Sequence, residues 1–150
     1  MKALTIWQPW ASLLAMGIKQ YETRSWAASY RGPIAIHAAK KDVSDALKMI
    51  PAPDALEMSK LIRIEWKALP TGSIIATANL VGCHRIETIG KGLGYWNSIG
   101  IATWHSIPEK EQLLGDWTPG RYAWEFSDMR PVDPIPAKGK QGLWTWDGME

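Results

Sequence analysis

The chain has almost no cysteine, and Cys83 alone among its 150 residues cannot close an internal disulfide or supply a cysteine-cluster zinc site. The thiol is expected to be a small core residue in a reducing, cytoplasmic compartment. Three histidines, His37, His84 and His105, lack the spacing of a zinc site. Long apolar runs are missing too, so no bilayer span is expected. The stretch Lys2 to Ala15 is broken by Gln8-Pro9 and is followed by no convincing cleavage site, unlike a secretory signal. No G-x-S-x-G elbow occurs, and Gly90 to Gly94 lacks the Lys-Ser/Thr ending of a phosphate loop. It is read as a loop from Gly90 to Gly100. Phenylalanine is nearly absent as well, with one residue against ten tryptophans.

Ten indoles exceed what one small core holds, since indole is seldom fully buried and its N–H needs a partner. Trp66 and Trp124 read as core. Trp10 and Trp26 lie close to basic residues, where each either stacks on a base or packs the first helix against strands. The remaining composition, 46% hydrophobic and 21% charged, is that of a folded domain. One domain over residues 1–150 is expected, with a helical insertion around 42–69. The net charge of +2 is unevenly spread. Residues 1–41 set Lys2, Lys19, Arg24, Arg31, Lys40 and Lys41 against Glu22, whereas the two later stretches, 42–71 and 72–150, are each slightly acidic. Such a basic opening suits a polyanion, through counterion release.

Local patterns predict the elements. Leu4 to Ile6 alternates as a strand; Pro9 suits a helix start and Gly17 its stop. Gln8 stands at the presumed cap, its amide facing either a ligand or a nearby backbone group. Glu22 and Arg24, two apart on a strand, share a face and pair, either only to fix that strand or also to present Arg24 to a phosphate. Lys19 follows the helix stop and is placed at a cleft rim, as a solvated surface charge, as a phosphate contact or, if desolvated, as a base or nucleophile. Pro33 to Ala38 predicts a strand that turns His37 away from Ile34 and Ile36, as a hydrogen-bonded or a functional histidine. Helices are expected over Asp42–Ile50, capped by Asp42, and Asp54–Leu69, with Met58, Ile62, Trp66 and Leu69 on one stripe. Ser73–Val81 predicts a strand buried on both faces, with a bulge at Gly82 before Cys83–Ile86. Ser106 is expected to cap a short helix ending at Gly115. Tyr122–Phe126 follows as a strand, Pro131–Pro136 as a connection, and Leu143–Trp146 as a last strand. Short strands with helices in insertions predict an α+β fold built on a small mixed barrel.

Gly17, Lys19, Glu22 and Arg24 form G-x-K-x-x-E-x-R, after the Gln8-Pro9 turn and before YRGPIAIH, Tyr30 to His37. This arrangement resembles the ASCH domain, named for activating signal cointegrator homology. The likeness is densest from Leu4 to Lys40 and continues at Gly72–Val81 and Gly142–Trp144. It implies a PUA-like fold, a small mixed β-barrel with flanking helices and a cleft beside the first helix. It also implies binding of RNA, single-stranded nucleic acid or a nucleotide; no cofactor, metal or membrane is expected. The residues expected at that surface are Gln8, Trp10, Lys19, Arg24, Trp26, Arg31, His37 and Lys40. Some relatives are implied to be hydrolases, either ribonucleases or N4-acylcytidine amidohydrolases that use a lysine, a threonine and a glutamate. Lys19 matches that lysine and would act with Glu22; Glu22 itself stands where those enzymes have threonine. Exposed tryptophans also leave a protein partner open as a third reading.

Overall fold

The computed structural model describes residues 1–89, 92–97 and 105–148. Strand β1 (Lys2–Ile6) leads to helix α1 (Trp10–Ala15), then to strands β2 (Tyr21–Arg24) and β3 (Gly32–Ala38). Helices α2 (Val43–Leu47) and α3 (Ala52–Ile62) and a 3-10 turn (Trp66–Ala68) precede the long strand β4 (Ser73–Ile89). There follow β5 (Gly92–Asn97), β6 (His105–Ser106), α4 (Glu109–Leu113), β7 (Tyr122–Pro136) and β8 (Leu143–Thr145). Mixed strands with helices in the connections make this an α+β protein.

The chain divides into two units: Met1–Ile18, Pro33–Ala78 and Asp128–Glu150 form the first, Lys19–Gly32 and Asn79–Ser127 the second. In the first, β1 lies between β3, paired in parallel, and β8, paired antiparallel. Ala3, Ala35, Ile74, Trp144 and Trp146 form a core there, with Val132, Ile135 and Ala137 packed against it. Its helix α1 ends as predicted: Gly17, at φ 74, donates to Leu14 and Ile18 donates to Leu13, closing a left-handed stop. In the second unit, β2 and β5 each pair antiparallel, with β7 and β4 respectively. Ile86, Ile107, Trp117 and Ala123 form its core, flanked by Tyr21.

Several boundaries depart from the sequence reading. Asp42 caps α2 as expected, accepting from the Ser44 amide at 2.9 Å, but that helix stops at Leu47. Helix α3 starts earlier, at Ala52, because proline is tolerated in a first turn whose amides have no helical partner; it ends at Arg63 in the left-handed region, φ 62. Met58, Ile62, Trp66 and Leu69 are nevertheless all buried. Strand β4 runs unbroken through Gly82, and the even-numbered positions from Ile74 to Ile86 stay buried, so the phase does not shift. Gly92–Asn97, expected as loop, is strand, because the extended edge of β4 offers its backbone groups a ladder. Positions 90, 91 and 98–100 of that expected loop lie outside the described residues. Ser106 belongs to β6, and α4 begins after Pro108 with no side-chain cap. Pro131–Pro136 is part of β7, its prolines exposed where no ladder amide is required of them.

Candidate functional site

Strand β2 places Glu22 and Arg24 on one face, and the Arg24 guanidinium lies 3.1 Å from Glu22 Oε2. The other carboxylate oxygen lies 3.5 Å from Lys19 Nζ. Lys19, expected at a rim, is instead buried, with 2% of its side chain exposed. Its ammonium donates to the Leu114 carbonyl at 2.8 Å, a partner far along the chain that no local pattern announces. Gly115 lies beside that ammonium: a Cβ there would touch Nζ at 3.4 Å and crowd Trp117 Nε1 at 3.2 Å. Burial holds the Lys19 pKa below its ordinary value, while the charges of Glu22 and Glu111 work against the shift.

Glu111 was not foreseen as part of this cluster. It is buried in α4, and its carboxylate accepts from the Gln20 and Tyr21 amides at 3.1 and 3.4 Å. Two cations and two carboxylates therefore meet around Lys19, with no net charge if all are ionised. In sequence Glu111 reads only as an acidic residue in the first turn of a short helix.

From this buried end the chain of charges reaches the surface at Arg24, whose side chain is 24% exposed. In the same unit Trp26 is exposed, and its ring meets Trp124 edge-on at 4.7 Å. Trp124 itself is buried and donates from Nε1 to the Trp26 carbonyl at 3.2 Å, which fixes the backbone that carries the exposed indole. Exposed Arg31 folds back on its own turn, donating to the Ala28 and Tyr30 carbonyls. Arg24, Trp26 and Arg31 thus follow one another along a short, hydrogen-bonded segment.

The other expected residues belong to the first unit. Gln8 is 1% exposed; its Oε1 accepts from the Ser12 amide at 2.9 Å, and its Nε2 donates to Ser12 Oγ and the Pro70 carbonyl. Of its two alternatives, the backbone bond is the one realised, and Pro9, not Gln8, is the cap residue of α1. Trp10 opens α1, half-buried. His37 is buried, with Nε2 2.7 Å from the Ala137 carbonyl and its ring edge-on to Trp144. Lys40 is exposed just beyond β3. Cys83 is buried, which pushes its thiol pKa up, as befits an inert core residue. Among the described residues no helix is long and apolar enough to cross a membrane.

Residues 4–138 match the ASCH domain family. The chain belongs to that family. Over 81 residues this ASCH domain is 36% identical to activating signal cointegrator 1 of Homo sapiens, a match that covers 53% of this chain and 14% of the relative. The Mus musculus protein of the same name is 35% identical over the same length and coverage. The match therefore spans a small part, 14%, of these relatives' own length. Among solved structures, a point mutant of ZmASCH from Zymomonas mobilis aligns over 90% of this chain and 74% of its own, at 17% identity and TM-score 0.45. The ASCH family is associated with nucleic-acid binding.

Proposed function

We propose that this ASCH domain binds single-stranded nucleic acid, RNA in the first place, through the segment of its second unit that carries Arg24, Trp26 and Arg31. One observation carries the reading: the buried Lys19–Glu22–Arg24 chain, in which Glu22 accepts from both cations and holds the Arg24 guanidinium at the surface. A guanidinium held in place loses little freedom when it meets a phosphate or a base edge. The exposed Trp26 indole, fixed through Trp124, supplies a stacking face, and base–indole stacking is worth about 1–3 kcal/mol. Lys19 supports the site from below and does not touch the ligand.

Fluorescence anisotropy with a labelled single-stranded RNA tests this. Arg24→Gln and Trp26→Leu are each expected to weaken binding about tenfold, consistent with one charge-assisted contact or one stacked base. Unchanged affinity in both variants overturns the assignment.

A second reading, a hydrolase acting on RNA or an acylated cytidine, is favoured by one specific observation. Lys19 is buried, burial lowers its pKa, and a carboxylate lies 3.5 Å away, an arrangement from which a lysine can act as base or nucleophile. Incubation with RNA and with N4-acylated cytidine separates the two. Turnover abolished by Lys19→Ala supports the enzyme; salt-sensitive binding without turnover supports the binding module.

A further inference from the structure

The first unit carries a second basic and aromatic surface, built on the carboxyl ends of the parallel strands β1 and β3. Their register brings Ile6 beside Ala38, and the Ala39 amide donates to the Ile6 carbonyl at 2.9 Å. The residues that follow, Trp7 on one strand and Lys40 and Lys41 on the other, therefore leave the sheet side by side. Trp7 is 36% exposed, and the Lys41 ammonium stands 4.6 Å from the centre of its ring. That cation–π contact orients an indole that is about one-third exposed to solvent.

The connection between β7 and β8 is fastened against the same strands. The Ala137 amide donates to the Gly72 carbonyl at 3.0 Å, and Gly72 packs beside the Lys40 stem. The Ala137 carbonyl lies 2.7 Å from His37 Nε2, so that nitrogen is the donor. Nδ1 is buried and, among the described residues, has no hydrogen-bond partner. Gly139 explains how the connection approaches so closely: a Cβ there would stand 2.7 Å from His37 Nδ1 and 2.8 Å from Thr5 Oγ1. With Gly139 seated over His37, its neighbours Lys138 and Lys140 are exposed on either side. The Asp45 carboxylate lies 4.0 Å from Lys41 and is shared with Lys48.

We propose that Trp7, Lys40, Lys41 and the Lys138–Gly139–Lys140 strap form a second contact surface for a single nucleic-acid strand, with the lysines on phosphates and a base stacked on Trp7. The inference rests on the ligand class proposed above but on none of the same residues. An exposed indole with one lysine over its ring and further exposed lysines on the adjoining segments matches the way single strands are held without sequence reading: point charges track the backbone while an aromatic face accepts whichever base arrives. Lysine serves here because the backbone needs a charge, not a fork of fixed geometry.

The test uses the full chain and a labelled single-stranded RNA of about twelve nucleotides, within the usual site size. Affinity is measured across a salt series for the parent, for Trp7→Leu, for the double variant Lys138→Gln with Lys140→Gln, and for Arg24→Gln. Circular dichroism confirms that each variant is folded. The double lysine variant is expected to flatten the slope of log K against log salt by about 1.4, two phosphate contacts at roughly 0.7 each. Trp7→Leu is expected to weaken binding about tenfold with the slope unchanged. Loss only in Arg24→Gln overturns this surface and leaves the function standing. Loss only in the Trp7 and lysine variants supports this surface and overturns the role of Arg24. A flattened slope without any effect of Trp7→Leu overturns the stacked base, and no RNA binding by the parent chain overturns both readings.

Discussion

At the scale of single residues, Lys19 shows how a buried charge is tolerated. Its ammonium gains a carbonyl and a carboxylate in exchange for water, and removing it leaves both acceptors without that donor. Lys19→Met is therefore expected to cost about 3 kcal/mol in urea unfolding, since breaking a buried pair costs more than the pair contributes. His84 behaves differently. Burial lowers its pKa from 6.5 despite the Glu125 carboxylate 3.2 Å from Nε2. The unfolded chain thus takes up this proton at a higher pH than the folded one, so stability is intact above 6.5 and falls as the pH drops below it, until the folded ring also protonates. Thermal unfolding between about pH 7.5 and pH 5 should fall more steeply for the parent than for His84→Gln. The Glu22–Arg24 pair was legible because a spacing of two on a strand is a local rule. Lys19 was misplaced because its partner, Leu114, lies 95 residues away.

At the scale of elements, termini were legible where one residue type carries the signal. Gly17 stands at φ 74 with nothing within 4 Å of a Cβ, so Gly17→Ala meets no clash and should cost about 1 kcal/mol from backbone strain alone. Asp42→Ala should cost α2 a similar amount, about 1 kcal/mol, by leaving the Ser44 amide without its acceptor; loss of helical circular dichroism on mild heating reports it. The ends of α2 and α3 and the extent of β5 and β7 were not legible. Prolines in β7 read as a connection because proline cannot donate, yet a residue at an exposed position has no obligation to donate. Glycines in β5 read as a loop although its backbone satisfies itself on β4.

At the scale of the whole chain, a net charge of +2 understates how basic its opening is, because six of its cations fall in the first 41 residues against a single carboxylate. If about four of these meet phosphates, binding of a single strand should weaken about 50-fold between 50 and 200 mM salt, read by anisotropy. A salt-insensitive complex would contradict a phosphate-dominated contact.

The sequence by itself determined the stop at Gly17, the cap at Asp42 and the Glu22–Arg24 pairing, each written in residues a few positions apart, and, through patterns spread along the chain, membership of the ASCH family and the α+β class. Only the tertiary structure decided that β1 joins β3 in parallel, that Lys19 lies buried on Leu114, that Gln8 bonds Ser12 and Pro70, and that His37 anchors Ala137. Desolvation and hydrogen bonding between distant segments set those outcomes, and neither has a signature within the span of a single element.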